Sequence, residues 1–97
     1  MTRQITKQAQ QAFRENRNFK LSNTEVHADC TGTYMYLFGN LIARKVGERV
    51  QVTLAGWDTL TTRERLHNLT ENCKLSHIKG KSYIQGKEIS TTEWVQV

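Results

Sequence analysis

A chain of 97 residues, 37% of them hydrophobic, with a mean hydropathy of −0.63, specifies one domain with a small core and modest stability. It holds no apolar run long enough to cross a bilayer and opens on no signal-peptide pattern. A cytoplasmic place is therefore expected, with Cys30 and Cys73 as reduced thiols. The net charge is +5, and most of the excess lies in the first 22 residues, where Arg3, Lys7, Arg14, Arg17 and Lys20 stand against Glu15 alone. Such a segment favours a polyanion or an acidic protein surface.

Taken in order, residues 2–18 repeat Ile5, Ala9 and Phe13 every four positions, with Ala12 beside them. That spacing predicts an amphipathic helix with a thin apolar stripe. The stripe buries too little to hold the helix alone, so residues 1–22 read as a basic helix or arm. It is expected to dock weakly on a single α+β domain over 23–97, to serve a homodimer, or to order on a partner. Phe19 to Ser22 reads as a connection. Thr24 to Ala28 reads as a strand with Val26 inward and Glu25 and His27 outward. Tyr34 to Phe38 is apolar on both faces, as a central strand covered by a helix would be. Gly39-Asn40 has two readings: a two-residue hairpin loop, or, slightly favoured, a bulge within one strand from Tyr34 to Val46. Gly47-Glu48 then turns the chain into an alternating strand over Val50 to Ala55.

Gly56 and Trp57 follow, and the indole is expected to pack beside the turn and fix the next helix to the sheet. Thr61-Thr62-Arg63-Glu64 has capping-box spacing, with Thr61 as cap. Leu66, Leu69 and Cys73 share one helical face, and the helix is expected to fade near Asn72 to Lys74. Beyond it, turns at Gly80-Lys81 and Gly86-Lys87 predict two or three further strands, with Trp94 at the edge of the core. The expected architecture is one antiparallel sheet (three strands, helix, two or three strands) with one packed helix and the N-terminal helix.

The chemistry-bearing residues point to binding rather than to reaction. His27-x2-Cys30 and Cys73-x3-His77 lack the tight paired-cysteine spacing of a zinc site, so no metal or cofactor is assigned. No carboxylate pair, activated nucleophile or phosphate-cradling loop is present, and the chain is not expected to be an enzyme. Arg63 and Arg65, at a helix start, form a candidate phosphate site, with a solvated helix face as the plainer reading. Lys79, Lys81 and Lys87 surround the last hairpins. With Tyr83, and Tyr34 or Tyr36, they would make a basic, aromatic strand face suited to single-stranded nucleic acid. The plainer reading is that lysines at strand edges block edge pairing.

Four segments carry a resemblance: Asn23-Thr24-Glu25-Val26, Leu37-Phe38-Gly39-Asn40-Leu41-Ile42-Ala43, Leu54-Ala55-Gly56-Trp57-Asp58-Thr59 and Thr61-Thr62-Arg63-Glu64-Arg65-Leu66-His67. Together with Ile84-Gln85-Gly86-Lys87 they resemble a pattern in small proteins of tailed bacteriophages, a group without an established activity, over roughly Phe13 to Lys87. The resemblance implies expression inside an infected bacterium. It favours either handling nucleic acid or blocking a host or defence protein, and it assigns no site residues. Two functions follow as expectations. The first is nucleic-acid binding with little sequence specificity through Arg14, Arg17, Lys20, Arg63, Arg65, Lys79, Lys81 and Lys87. The second is docking on a bacterial protein as an inhibitor or adaptor, through the first helix, with Ile5 and Phe13, or through an exposed sheet edge.

Overall fold

The structure, a computed structural model, describes residues 4–57 and 59–97. Its elements are α1 (Gln4–Arg14), β1 (Phe19–Leu21), β2 (Thr24–Ala28), β3 (Thr33–Leu37), β4 (Asn40–Val46), β5 (Arg49–Val52), α2 (Leu60–Leu66), β6 (Leu75–Ile78), β7 (Lys81–Ile84), β8 (Lys87–Ile89) and β9 (Val95–Gln96). The class is α+β with antiparallel sheets, but there are two of them. β1 to β5 form a meander that β9 closes along β5, and β6, β7 and β8 form a separate three-stranded sheet. Of the strands after α2 only β9 joins the first sheet, and β6, β7 and β8 do not extend it, contrary to the single-sheet expectation. Its β5 edge is already taken by Val95 and Gln96, which pair with Val52 and Gln51. Phe19 to Leu21, read as a connection, is strand β1.

Three of the hairpins share one rule. Phe38-Gly39, Lys79-Gly80 and Gln85-Gly86 each have positive φ at both central residues, with glycine second. Paired positive φ values match the right-handed twist of the flanking strands, and the second position takes glycine at no steric cost. Each turn therefore sits one residue earlier than the sequence reading placed it. Gly39-Asn40 is not a bulge. The turn is Phe38-Gly39, and the bulge lies inside β4, where the register moves from Met35↔Ala43 to Tyr36↔Leu41 and skips Ile42. That extra residue lets Ile42 and Ala43 both point into the core, where both are buried.

α1 lies over β1, β2 and β3 and against α2. Its apolar stripe is buried at Ala9, Ala12 and Phe13. A second stripe at the same spacing, Thr6, Gln10 and Arg14, is polar and grips α2. Gln10 Nε2 donates to the carbonyls of Arg65 (3.0 Å) and His67 (2.8 Å). Arg14 donates from Nε to Leu69 O (3.0 Å) and from Nη2 to Asn68 O (2.7 Å). These bonds satisfy carbonyls that a helix end leaves open. α2 accordingly stops at Leu66, and Asn68 turns the chain with φ 66°. Leu69 and Cys73 are buried as expected, but from the loop beyond the helix. Burial pushes the Cys73 thiol up to about 12, so it is an inert core group.

The capping box does not form. α2 begins at Leu60, and its N-cap is Thr59, whose side chain accepts from Thr62 N at 3.2 Å in extended backbone. Glu64 instead accepts from Thr6 Oγ1 at 2.6 Å. We expect Thr59→Ala to lower stability by about 1 kcal/mol and Thr61→Ala to cost much less, read as urea midpoints by circular dichroism. Equal losses would return the cap to Thr61.

Candidate functional site

The tip of the β3–β4 hairpin and the β5–α2 connection face each other across an apolar groove of about 380 Å³. Its floor is Leu37, Ile42 and Leu54, which are buried core residues. Phe38 stands on one side, 70% exposed, and Trp57 on the other, 59% exposed. Leu60 follows on the first turn of α2 and is 73% exposed. Exposed apolar patches rimmed by polar residues often mark interaction sites, and here an indole and a phenyl both stand exposed on one groove.

Local structure explains how the aromatic residues come to be outside. Phe38 has φ 51°, in the left-handed region where asparagine, aspartate or glycine would suit the turn. Among the described residues with positive φ it is the only aromatic one. A bulky residue there costs of order 1–3 kcal/mol, and it places the ring at the tip of the hairpin. On the opposite side, Ala55 (φ 53°) and Gly56 (φ 81°) make a tight turn closed by Trp57 N donating to Leu54 O at 2.8 Å. That turn ejects Trp57 from the sheet. The indole does not fix α2 to the sheet as expected; that task falls to Arg65.

Arg65, a predicted phosphate contact, is 1% exposed and belongs to the core. Its Nε donates to Thr24 Oγ1 on β2 at 3.0 Å, and its Nη1 donates to Thr6 Oγ1 on α1. Glu64 Oε1 lies 3.3 Å from Nη1. The guanidinium joins three elements and presents no face to a ligand. Phe13, a predicted interface residue, is 1% exposed and packs in the core, and Ile5 beside it is half-buried. A periodic apolar stripe reads alike whether it meets the chain's own sheet or a partner.

The other predicted cations are scattered or engaged. Arg14 is spent on the α2 end, as above. Arg17 pairs with Glu15 at 2.7 Å. Lys20 lies 3.5 Å from Glu25 on the β1 edge, and Arg63 is half-buried on α2. Lys81 Nζ is 3.9 Å from Glu88, on the opposite face of the small sheet from Lys87, which pairs with buried Ile84. Lys79 and Lys87 sit in or next to turns at opposite ends of β7, roughly 13 Å apart at strand rise. Tyr83 belongs to this sheet and Tyr34 and Tyr36 to the other, so the predicted shared lysine–tyrosine face does not assemble. Arg3 and Asp58 lie outside the described residues.

Sequence reasoning missed the groove. Its one visible sign was Phe38 preceding Gly39, a poor first residue for a two-residue turn. Among the described residues, no group of three or more His, Cys, Asp or Glu side chains could hold a metal ion, and no helix is long and apolar enough to cross a membrane.

A family model described as Kyanoviridae Gp96 protein matches residues 2–97, and the chain belongs to that phage protein family. No curated protein and no solved structure matches the chain.

Proposed function

We propose that this member of the Kyanoviridae Gp96 family is a non-enzymatic phage accessory protein that docks on another protein in the infected bacterium. The observation that carries this reading is the apolar groove walled by exposed Phe38 and Trp57. The wall supplies large, rigid contact area at low entropic cost, and the floor is already desolvated. Such aromatic anchors dominate binding energy where they are found.

The size of the patch selects the occupant. A buried aromatic side chain contributes about 150–250 Å². The free portions of Phe38 and Trp57 together amount to roughly 300 Å², short of the roughly 800 Å² per partner of a standard interface. A second copy of the chain seated here alone would be held weakly. A short segment of a larger protein, placing one or two apolar side chains between the rings, fits both volume and area. The remaining lining side chains are Asn40, Thr59 and Thr62, so the contacted part of the segment is uncharged.

The test is capture from lysate of infected cells with the tagged wild-type chain and with Phe38→Ser and Trp57→Ser variants, after nuclease treatment. One protein retained by wild type and bound about 30-fold or more weakly by each variant is expected, the scale of a binding hot spot of about 2 kcal/mol. Equal recovery by the variants, which circular dichroism should show to be folded, overturns the groove as the docking site. Loss of all recovery on nuclease treatment overturns protein docking altogether.

A further inference from the structure

The helices cover one face of the six-stranded sheet, and the other face carries an ordered set of aromatic and basic side chains. Register fixes which residues share it. His27, Tyr34, Arg44, Gln51 and Gln96 form one row across five strands, about 19 Å long at ordinary strand spacing. Lys20, Glu25, Tyr36 and Leu41 form the neighbouring row. The bulge at Ile42 re-phases β4, so that Arg44 meets Tyr34 and Leu41 meets Tyr36 on this face.

The side chains are arranged flat and polar rather than packed under a layer. Tyr34, Tyr36, Arg44 and Trp94 are half-buried, and Lys20, His27 and Arg49 are exposed. The Arg44 guanidinium lies 4.0 Å over the Trp94 ring and its Nε donates to Gln51 Oε1 at 2.8 Å. The His27 and Tyr36 rings meet edge-on at 5.4 Å. Tyr34 OH and Thr31 Oγ1 are 3.0 Å apart. Glu25 is the acid among these rows, and His27 (2.8 Å) and Lys20 (3.5 Å) hold its carboxyl below the usual range.

We infer that this open sheet face binds single-stranded nucleic acid, stacking unpaired bases on Tyr34, Tyr36 and the Arg44–Trp94 pair while Lys20 and Arg49 meet phosphates. Every base has a π-face, so stacking on such rings is tolerant of sequence. A duplex hides those faces, and a flat sheet offers no helix to enter its major groove. With two phosphate contacts, Lys20 and Arg49, the logarithm of affinity should fall against the logarithm of salt with a slope of about −1.4. The inference is independent of the groove, which lies at the hairpin tip and lacks these residues.

The test is fluorescence anisotropy of the full chain with labelled single strands of about 12 nucleotides, one of DNA and one of RNA, and with the matching DNA duplex. Saturable binding of either single strand, at least tenfold tighter than duplex, is expected. Tyr36→Ala and Tyr34→Ala should each weaken it at least fivefold, Tyr36→Phe should retain it, and Phe38→Ser should leave it unchanged. The DNA and RNA arms tell which sugar is preferred. The inference is overturned if neither single strand saturates, if duplex binds as tightly, or if Tyr36→Ala and Arg44→Gln, both verified as folded, bind like wild type. It is also overturned if light scattering shows a dimer that Tyr36→Ala dissociates, because a second copy then covers the face.

Discussion

Replacing Arg65 by alanine is expected to lower stability by about 3–5 kcal/mol, the range for removing one partner of a buried charge network. The side chain is 1% exposed and donates to Thr24 on β2 and Thr6 on α1. Thr6 in turn donates to Glu64 (2.6 Å), and Thr24 donates to Asn23 Oδ1 (2.8 Å). The relay therefore runs from the β1–β2 turn through the guanidinium to both helices. Truncation removes the guanidinium 3.3 Å from Glu64 Oε1 and opens a cavity beneath α1. Domains of this size hold about 5–15 kcal/mol in total, so the variant should be largely unfolded under mild heating or low urea. Arg65→Lys should recover little, because an ammonium has no planar fork to reach Thr6 and Thr24 together. Urea unfolding followed by circular dichroism checks both. A loss below about 1 kcal/mol for Arg65→Ala would mean that the core closes without the network.

That arginine shows where the sequence was legible and where it was not. Strands with a clean period of two were readable: Val26 in and Glu25 out, Val50 and Val52 in, and Met35 and Leu37 alternating with Tyr34 and Tyr36, although Phe38, read into that strand, lies in the turn. Local patterns cannot say which polar residues of a helix face inward. Arg65 sits between Glu64 and Leu66, where a solvated position and a buried one look the same. Thr6, Gln10 and Arg14 repeat with the spacing of Ile5, Ala9 and Phe13, and that second stripe was the one available sign that α1 is clasped. The division into two sheets was illegible for a similar reason. Short strands after a helix carry no mark of which edge they join, and that depended on two residues, Val95 and Gln96.

Both surfaces for which a ligand is proposed derive from one hairpin. Phe38 stands at its tip, while Tyr34 and Tyr36 lie along its outer face. The Ile42 bulge lets β4 supply the groove floor with Ile42 and the outer face with Arg44, three positions apart in sequence count from Leu41. In a strict alternation Leu41 and Arg44 would point to opposite faces. A one-residue insertion thus couples groove and face, and bulges are commonly kept where a side chain must be re-aimed.

Phe13→Ala is expected to cost about 3–5 kcal/mol, the range for deleting a buried phenyl ring. The ring is 1% exposed, and the ammonium of Lys45 lies 5.4 Å from its centroid. The same Lys45 donates to the carbonyls of Phe13 (2.9 Å) and Arg14 (3.1 Å), a cation at a helix C-terminus where the dipole favours it. Burial lowers the Lys45 pKa, so this contact has some desolvation cost to offset, and removing the ring exposes it. Two accounts of the first helix then separate. If α1 is integral to the fold, Phe13→Ala lowers the urea midpoint as far as a core substitution such as Leu66→Ala does. Amides across β1 to β3, the strands α1 covers, should then exchange faster. If the helix were an arm awaiting a partner, the variant would unfold like wild type and lose only binding. Ile5→Ala, at a half-buried position, should cost clearly less than Phe13→Ala, because less apolar surface leaves the core.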